Sequence, residues 1–117
     1  MKIISSRRFL SLIFSLLLFP SAISAATISG VIIDKDTKAP LPYANVEVLL
    51  ASDSSAVKGE MADEHGAFLV EDLAHGDYLL LVSYMGYLDR YRKMKVQADS
   101  SVIDMGKISQ YPIVQVL

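Results

Sequence analysis

Residues 78–84, YLLLVSY, form an almost unbroken apolar run between turn residues, and no other stretch limits the fold of this chain so strongly. Seven residues are too few for a helix of ordinary length. An apolar run this short, bounded by turn chemistry, fits a strand with neighbours on both edges and a core against it. The residues before it show the same pattern on a smaller scale. Asp63-Glu64-His65-Gly66 is a turn signal, because Asp folds back on its own backbone and Gly66 takes positive φ without steric cost. Phe68, Val70 and Leu73 then fall on one side of a strand, and Ala74-His75-Gly76-Asp77 turns the chain again. Met85-Gly86-Tyr87 closes the run, with Gly86 shaping a turn. Residues 63–87 therefore predict a β-meander.

The flanking sequence extends it. Residues 27–34 read as a first strand with Ile28, Val31 and Ile33 buried, and Gly30 inside it marks a bulge or a close backbone approach. Pro40 and Pro42 keep Ala39 and Leu41 extended. In residues 44–50, Val46, Val48 and Leu50 share one face with Glu47 on the other. Residues 51–55, ASDSS, are a polar loop, and residues 57–62 a weaker strand. In LDRYRKMKVQA, residues 88–98, basic side chains fall on both faces, as on an edge strand where Lys discourages sheet-to-sheet aggregation. Residues 102–108 close the structure, and the apolar tail after Ser109 shows no evident partner. Strands at such short spacing, with turns between them, predict an all-β, antiparallel β-sandwich of about seven strands.

The N-terminus carries a different signal. Lys2, Arg7 and Arg8 precede an 11-residue apolar stretch, residues 9–19, followed by the small residues of PSAISAA. This is the layout of a helical signal peptide, and the apolar stretch is short of the roughly 20 residues that a membrane span needs. Cleavage is expected near residues 24–26, giving a signal peptide over 1–26, a sandwich domain over 27–108, and a C-terminal tail or linker over 109–117. No Cys follows the apolar stretch, so a lipidated new N-terminus is excluded, and no disulfide supports the fold. Without residues 1–26 the chain keeps eight basic and all 13 acidic residues, a net charge of −5. That balance argues against a nucleic-acid partner.

The pattern D-x-x-G-x-F, a Gly-Asp-Tyr turn and a VSYxGY finish resembles the carboxypeptidase-regulatory-like, or transthyretin-like, β-sandwich domain. Asp63, Gly66, Phe68, Gly76, Tyr78, Val82, Ser83, Tyr84, Gly86 and Tyr87 carry the likeness. Upstream, Gly30 in SGVI and Pro42 and Ala44 in PLPYANV resemble the family's opening segment. In Bacteroidetes-type bacteria such domains sit at the periplasmic N-terminus of TonB-dependent outer-membrane receptors. The resemblance therefore implies a non-catalytic module in the periplasm, or at the periplasmic face of the outer membrane. Its partner would be a receptor plug and barrel or another envelope protein. It would meet the outer membrane only through that larger receptor. The alternative is a free-standing secreted module binding carbohydrate or protein, with residues 52–55 and 87–91 as contact surface.

Asp34, Asp36, Asp63 and Glu64 are hard oxygen ligands, but the D-K-D spacing lacks the Gly and terminal Glu of a calcium loop, and turn carboxylates are the better reading. His65 and His75, each beside a turn Gly, lack zinc-site spacing. No cofactor, metal or catalytic residue is assigned. There is no G-x-S-x-G elbow, and the chain ends VQVL rather than in the Tyr-Arg-Gly-Ser type of tail of the related hydroxyisourate hydrolases. An isopeptide crosslink of the kind found in pilin-like sandwiches is poorly supported, Asn45 being the only Asn. Tyr78 and Tyr84 read either as a sugar-stacking platform or, from their alternation with Leu80 and Val82, as core with hydroxyls at the rim. Tyr87 and Tyr91 are the candidate surface contacts.

Overall fold

The computed structural model describes residues 25–97 and 102–114. The expected signal peptide lies outside them up to residue 24. Seven strands follow in order: β1 (Ala26–Asp34), β2 (Asn45–Leu50), β3 (Ala56–Met61), β4 (Ala67–Leu73), β5 (Gly76–Ser83), β6 (Arg90–Val96) and β7 (Val102–Gln110). They form two sheets, β4-β1-β7 and β3-β2-β5-β6, facing each other across one core. The seven-stranded sandwich expected from the sequence is what the chain forms, but the β-meander expected over residues 63–87 is not. β4 and β5 lie in different sheets, since the turn at residues 74–75 carries the chain across the core rather than back along the same sheet. One pairing departs from antiparallel: β7 runs parallel to β1.

Alternation decides which side of each strand is buried. On β5, Tyr78, Leu80 and Val82 point into the core while Leu79, Leu81 and Ser83 face outward, half-buried. Val46 and Val48 of β2 and Met94 and Val96 of β6 complete that sheet's inner surface. Ile28, Ile32, Phe68, Val70, Leu73 and Ile108 meet them from the other sheet. Each fully buried Val, Leu or Ile contributes about 1.5–3 kcal/mol relative to remaining in water.

Bulges explain where simple alternation fails. Leu73 is one position out of phase with Phe68 and Val70. It is nevertheless buried, because the β1–β4 register shifts between Ala26 and Ile28 and Asp72 takes φ +59°. On β1 the core takes Ile32, whereas Val31, expected inside, is half-buried on the outer face opposite Ala67 and Lys107. Ile33 is buried as expected, beside a bridge to Pro40. Leu50 keeps the inner side opposite Tyr78 but stands exposed at the sheet's end, while Leu49, on the opposite face, is the buried one.

Gly30 is a close-approach position. A Cβ there would lie 2.7 Å from Phe68 Cε1, so the Phe68 ring occupies the space a side chain would need. The expected boundaries also move slightly. Ala26 is buried and pairs with Leu73, and β7 runs on to Gln110. Nor is the tail without partners. Pro112 bridges to Tyr87, and the Ile113 amide donates to the Gly86 carbonyl at 2.9 Å.

Candidate functional site

The two ends of the sandwich differ in character. At one end, residues 51–55 and 74–75 form exposed turns of small and polar side chains, with Asp53 Oδ1 accepting from the Ser55 amide and hydroxyl. At the other end β1, β3, β5 and β7 finish and β2, β4 and β6 begin. This second end gathers exposed apolar side chains: Tyr43, Met61, Met85, Leu88, Ile113 and Val114. Met85 is 93% exposed and Val114 78%. Contiguous exposed apolar patches are a general feature of interaction surfaces.

Beneath this apolar crown lies a polar lock. Asp34, the last residue of β1, accepts the Tyr87 hydroxyl on Oδ2 (2.5 Å) and the Asp36 and Thr37 amides on Oδ1 (2.7 and 2.8 Å). The Tyr87 hydrogen bond first, then the Thr37 amide, hold the Asp34 carboxyl down at about 2. The same bond, followed by burial, pushes the Tyr87 phenol above its ordinary 10. Tyr87 also meets Tyr84 edge to face, with ring centroids 5.5 Å apart.

Beside it, Lys35 Nζ lies 4.5 Å and Arg90 Cζ 5.2 Å from the centre of the Tyr111 ring. Arg90 donates to the Ser109 carbonyl (2.5 Å). Gln110 is fully buried, and its Nε2 donates to Val82 O (3.3 Å) and Leu88 O (3.2 Å), joining β7 to the other sheet. Its Oε1 has no hydrogen-bond partner among the described residues. A shallow cleft of about 240 Å³ opens here between Leu88, Asp89, Arg90 and Tyr111.

The residues singled out in the sequence separate into turn-formers, core and surface. Asp63 Oδ1 accepts from the His65 and Ala67 amides (2.8 and 2.9 Å), which, the Ala67 amide foremost, lower its pKa. Gly66, at φ +75°, presents its carbonyl to the Ile32 amide (2.7 Å). A Cβ on Gly66 would sit 2.5 Å from the Ile32 carbonyl oxygen. Asp63 and Gly66 thus staple the turn before β4 onto β1. Gly76 opens β5, and Tyr78, buried in the core, donates to the Ala74 carbonyl (2.7 Å). Gly86, in the turn closed by the Tyr87 amide on the Tyr84 carbonyl (3.0 Å), leads to the apolar crown. Pro42 and Ala44 precede β2, Ala44 fully buried. His65 is exposed beside Glu64 (3.4 Å).

Two expectations about contact surfaces change. Tyr87 is half-buried with its hydroxyl engaged, so of the two candidate contacts only Tyr91 is open, 58% exposed on the outer face of the four-stranded sheet, opposite Leu81. Of the two readings of Tyr78 and Tyr84 the core one is observed, with Tyr78 in the core and Tyr84 packed against it. Residues 52–55 and 87–91 lie at opposite ends of β2 and β5, about 17 Å apart at 3.3 Å per residue, and do not make one surface. The lock around Asp34, Tyr111 and Gln110 had no local signature, because Asp34 and Tyr87 are 53 positions apart.

A family model described as the CarboxypepD_reg-like domain matches residues 28–110, from the fully buried Ile28 of β1 to the buried Gln110. The chain belongs to the CarboxypepD_reg-like domain family. Among curated proteins, none matches it. Solved structures share this CarboxypepD_reg-like fold at low identity. The major pilin subunit of Bacillus cereus is 14% identical with a TM-score of 0.63, over 77% of this chain and 31% of the pilin. A minor pilin of Streptococcus agalactiae is 20% identical with a TM-score of 0.58, over 80% and 47%. The 5-hydroxyisourate hydrolase of Klebsiella pneumoniae is 15% identical with a TM-score of 0.57, over 76% and 93%. The chain spans less than half the length of the pilins that it matches.

Proposed function

We propose that this CarboxypepD_reg-like domain is a non-catalytic periplasmic module, the N-terminal domain of a TonB-dependent outer-membrane receptor for nutrient uptake. The observation that carries the reading is the apolar crown at the end of the sandwich that holds Met85, Ile113 and Val114. A module docked on a larger body would present such a surface, and the family's place at the N-terminus of these receptors supports it. In this reading an export segment ends at or before Ala25, because Ala26 is already part of the core, and residues after Gln110 lead toward the plug. The carboxylates support a non-catalytic role. Asp34 and Asp63 are engaged in turn hydrogen bonds that depress their pKa, which makes them poor proton acceptors at neutral pH. The test is the genomic DNA beyond codon 117. An in-frame plug and a barrel of many ten-residue strands are expected, and an unrelated neighbouring gene would defeat the proposal.

One observation favours a second reading, a free-standing module binding carbohydrate or protein. Tyr91 stands exposed on the outer sheet face in line with Leu81 and Glu47. Glycan-array binding that disappears in Tyr91→Ala would establish this reading in place of the first.

A further inference from the structure

β6 combines an open backbone edge with a concentration of positive charge. It is the last strand of its sheet, and among the described residues no strand pairs with its far side. The sandwich has four such edges. Three are interrupted: β4 and β7 shift register against β1, and β3 shifts against β2. Bulges of this kind twist an edge away from incoming strands. β6 pairs with β5 without a break from Arg90 to Val96, so its free side presents a regular ladder of donors and acceptors.

Its charge is equally distinct. Arg90, Arg92, Lys93 and Lys95 are four of the eight basic residues after residue 26, in a region whose net charge is −5, and β6 holds no acid. The cations serve both faces. Arg92 shares the side of buried Met94 and Val96, while Lys93 and Lys95 stand outward with Tyr91. A strand added along this edge would alternate its side chains between the same two faces, each within reach of a cation. A cleft adjoins each end of β6. One is the cleft of about 240 Å³ between Leu88, Asp89, Arg90 and Tyr111, and the other, of about 550 Å³, reaches across β5 and β6 along Asp77, Leu79, Lys93 and Lys95.

We propose that β6 is a docking edge for an extended acidic peptide, which adds to the four-stranded sheet as a fifth strand. Main-chain hydrogen bonds would supply the affinity, and Asp or Glu side chains beside Arg92, Lys93 and Lys95 would select the partner. An apolar side chain of that peptide fits the cleft beside Leu88 and Tyr111. Basic residues that only guard an edge against aggregation would leave it empty for every partner, and that outcome is separable by experiment. The site is independent of whether the domain belongs to a receptor.

The experiment uses the isotope-labelled full-length chain and a synthetic peptide of about ten residues, half glutamate or aspartate and half valine or threonine, long enough to span β6. Shifted resonances and slowed amide exchange along β6 are expected on titration. Lys93→Glu with Lys95→Glu replaces two surface attractions by two repulsions, and affinity should fall by about tenfold. Both side chains are exposed, so the fold is retained. No binding would overturn the proposal. So would equal binding of a proline-interrupted peptide of the same charge, which cannot form the ladder. Binding to anionic lipid vesicles with no response to the peptide would assign the cations to a membrane and overturn it as well.

Discussion

Asp34 ties three parts of the chain together through one carboxylate: the end of β1, the turn at Asp36 and Thr37, and Tyr87 from beyond β5. The Tyr87 hydrogen bond, with the Thr37 amide, holds it at about 2 in the fold, against an ordinary 3.8. A depressed acid stabilises the folded state above its ordinary value, and that contribution is lost as pH falls from 3.8 through about 2. Asp34→Asn should therefore lower the melting temperature at neutral pH and flatten its acid dependence between those two values. Parallel acid limbs for both proteins would contradict the assignment. The raised phenol of Tyr87 has the opposite sign, its contribution being full below pH 10 and lost above it. Glycines give a sharper contrast. At Gly66 positive φ and a backbone oxygen 2.5 Å from the absent Cβ both oppose a side chain, so Gly66→Ala should cost more than about 1 kcal/mol in thermal unfolding. At Gly59 nothing lies within 4 Å, and Gly59→Ala should stay within about 0.5 kcal/mol of the parent.

Among the elements, β5 is the reference for the four-stranded sheet, pairing with β2 on one side and β6 on the other. Its alternation makes a direct prediction. Leu80→Ala empties a fully buried position and should cost about 2–5 kcal/mol by urea denaturation. Leu81→Ala, on the outer face of the same strand, should cost under about 1 kcal/mol. Equal losses would mean that the strand's faces are not those described. β5 was legible in the sequence because a run such as YLLLVSY, closed at both ends by turn residues, admits few other structures. β1 and β4 were less legible. Val31 and Ile32 are both β-branched and apolar, so β1's own residues do not say which faces inward, and on β4 the bulge at Asp72 brings Leu73 back to the core side. A bulge depends on how the partner strand registers, and at Asp72 nothing in the residue type announces it.

For the whole molecule, the described residues put six exposed apolar side chains at the end of Tyr43 and Val114, against Leu50, Val57 and Val102 at the other. Met85→Ser together with Val114→Ser should leave thermal stability within about 0.5 kcal/mol while weakening retention on a hydrophobic matrix, because both side chains are exposed. Unchanged retention would show that the crown is not the dominant apolar surface. Neither the crown nor the lock below it could be read from any one segment. Their parts come from the β1–β2 connection, the end of β3, the turn after β5 and the tail after β7. The sequence by itself determined the strands, the turns at Asp63-Gly66 and Gly86, the basic character of β6 and the sandwich class, because alternation and turn chemistry act over a few residues. Tertiary structure alone decided the parallel β1–β7 pairing, the engagement of Tyr87 by Asp34, the burial of Gln110 and the separation of residues 52–55 from residues 87–91. Each of those depends on which distant strands lie side by side, and the free energy that settles it comes from closing one core between two sheets.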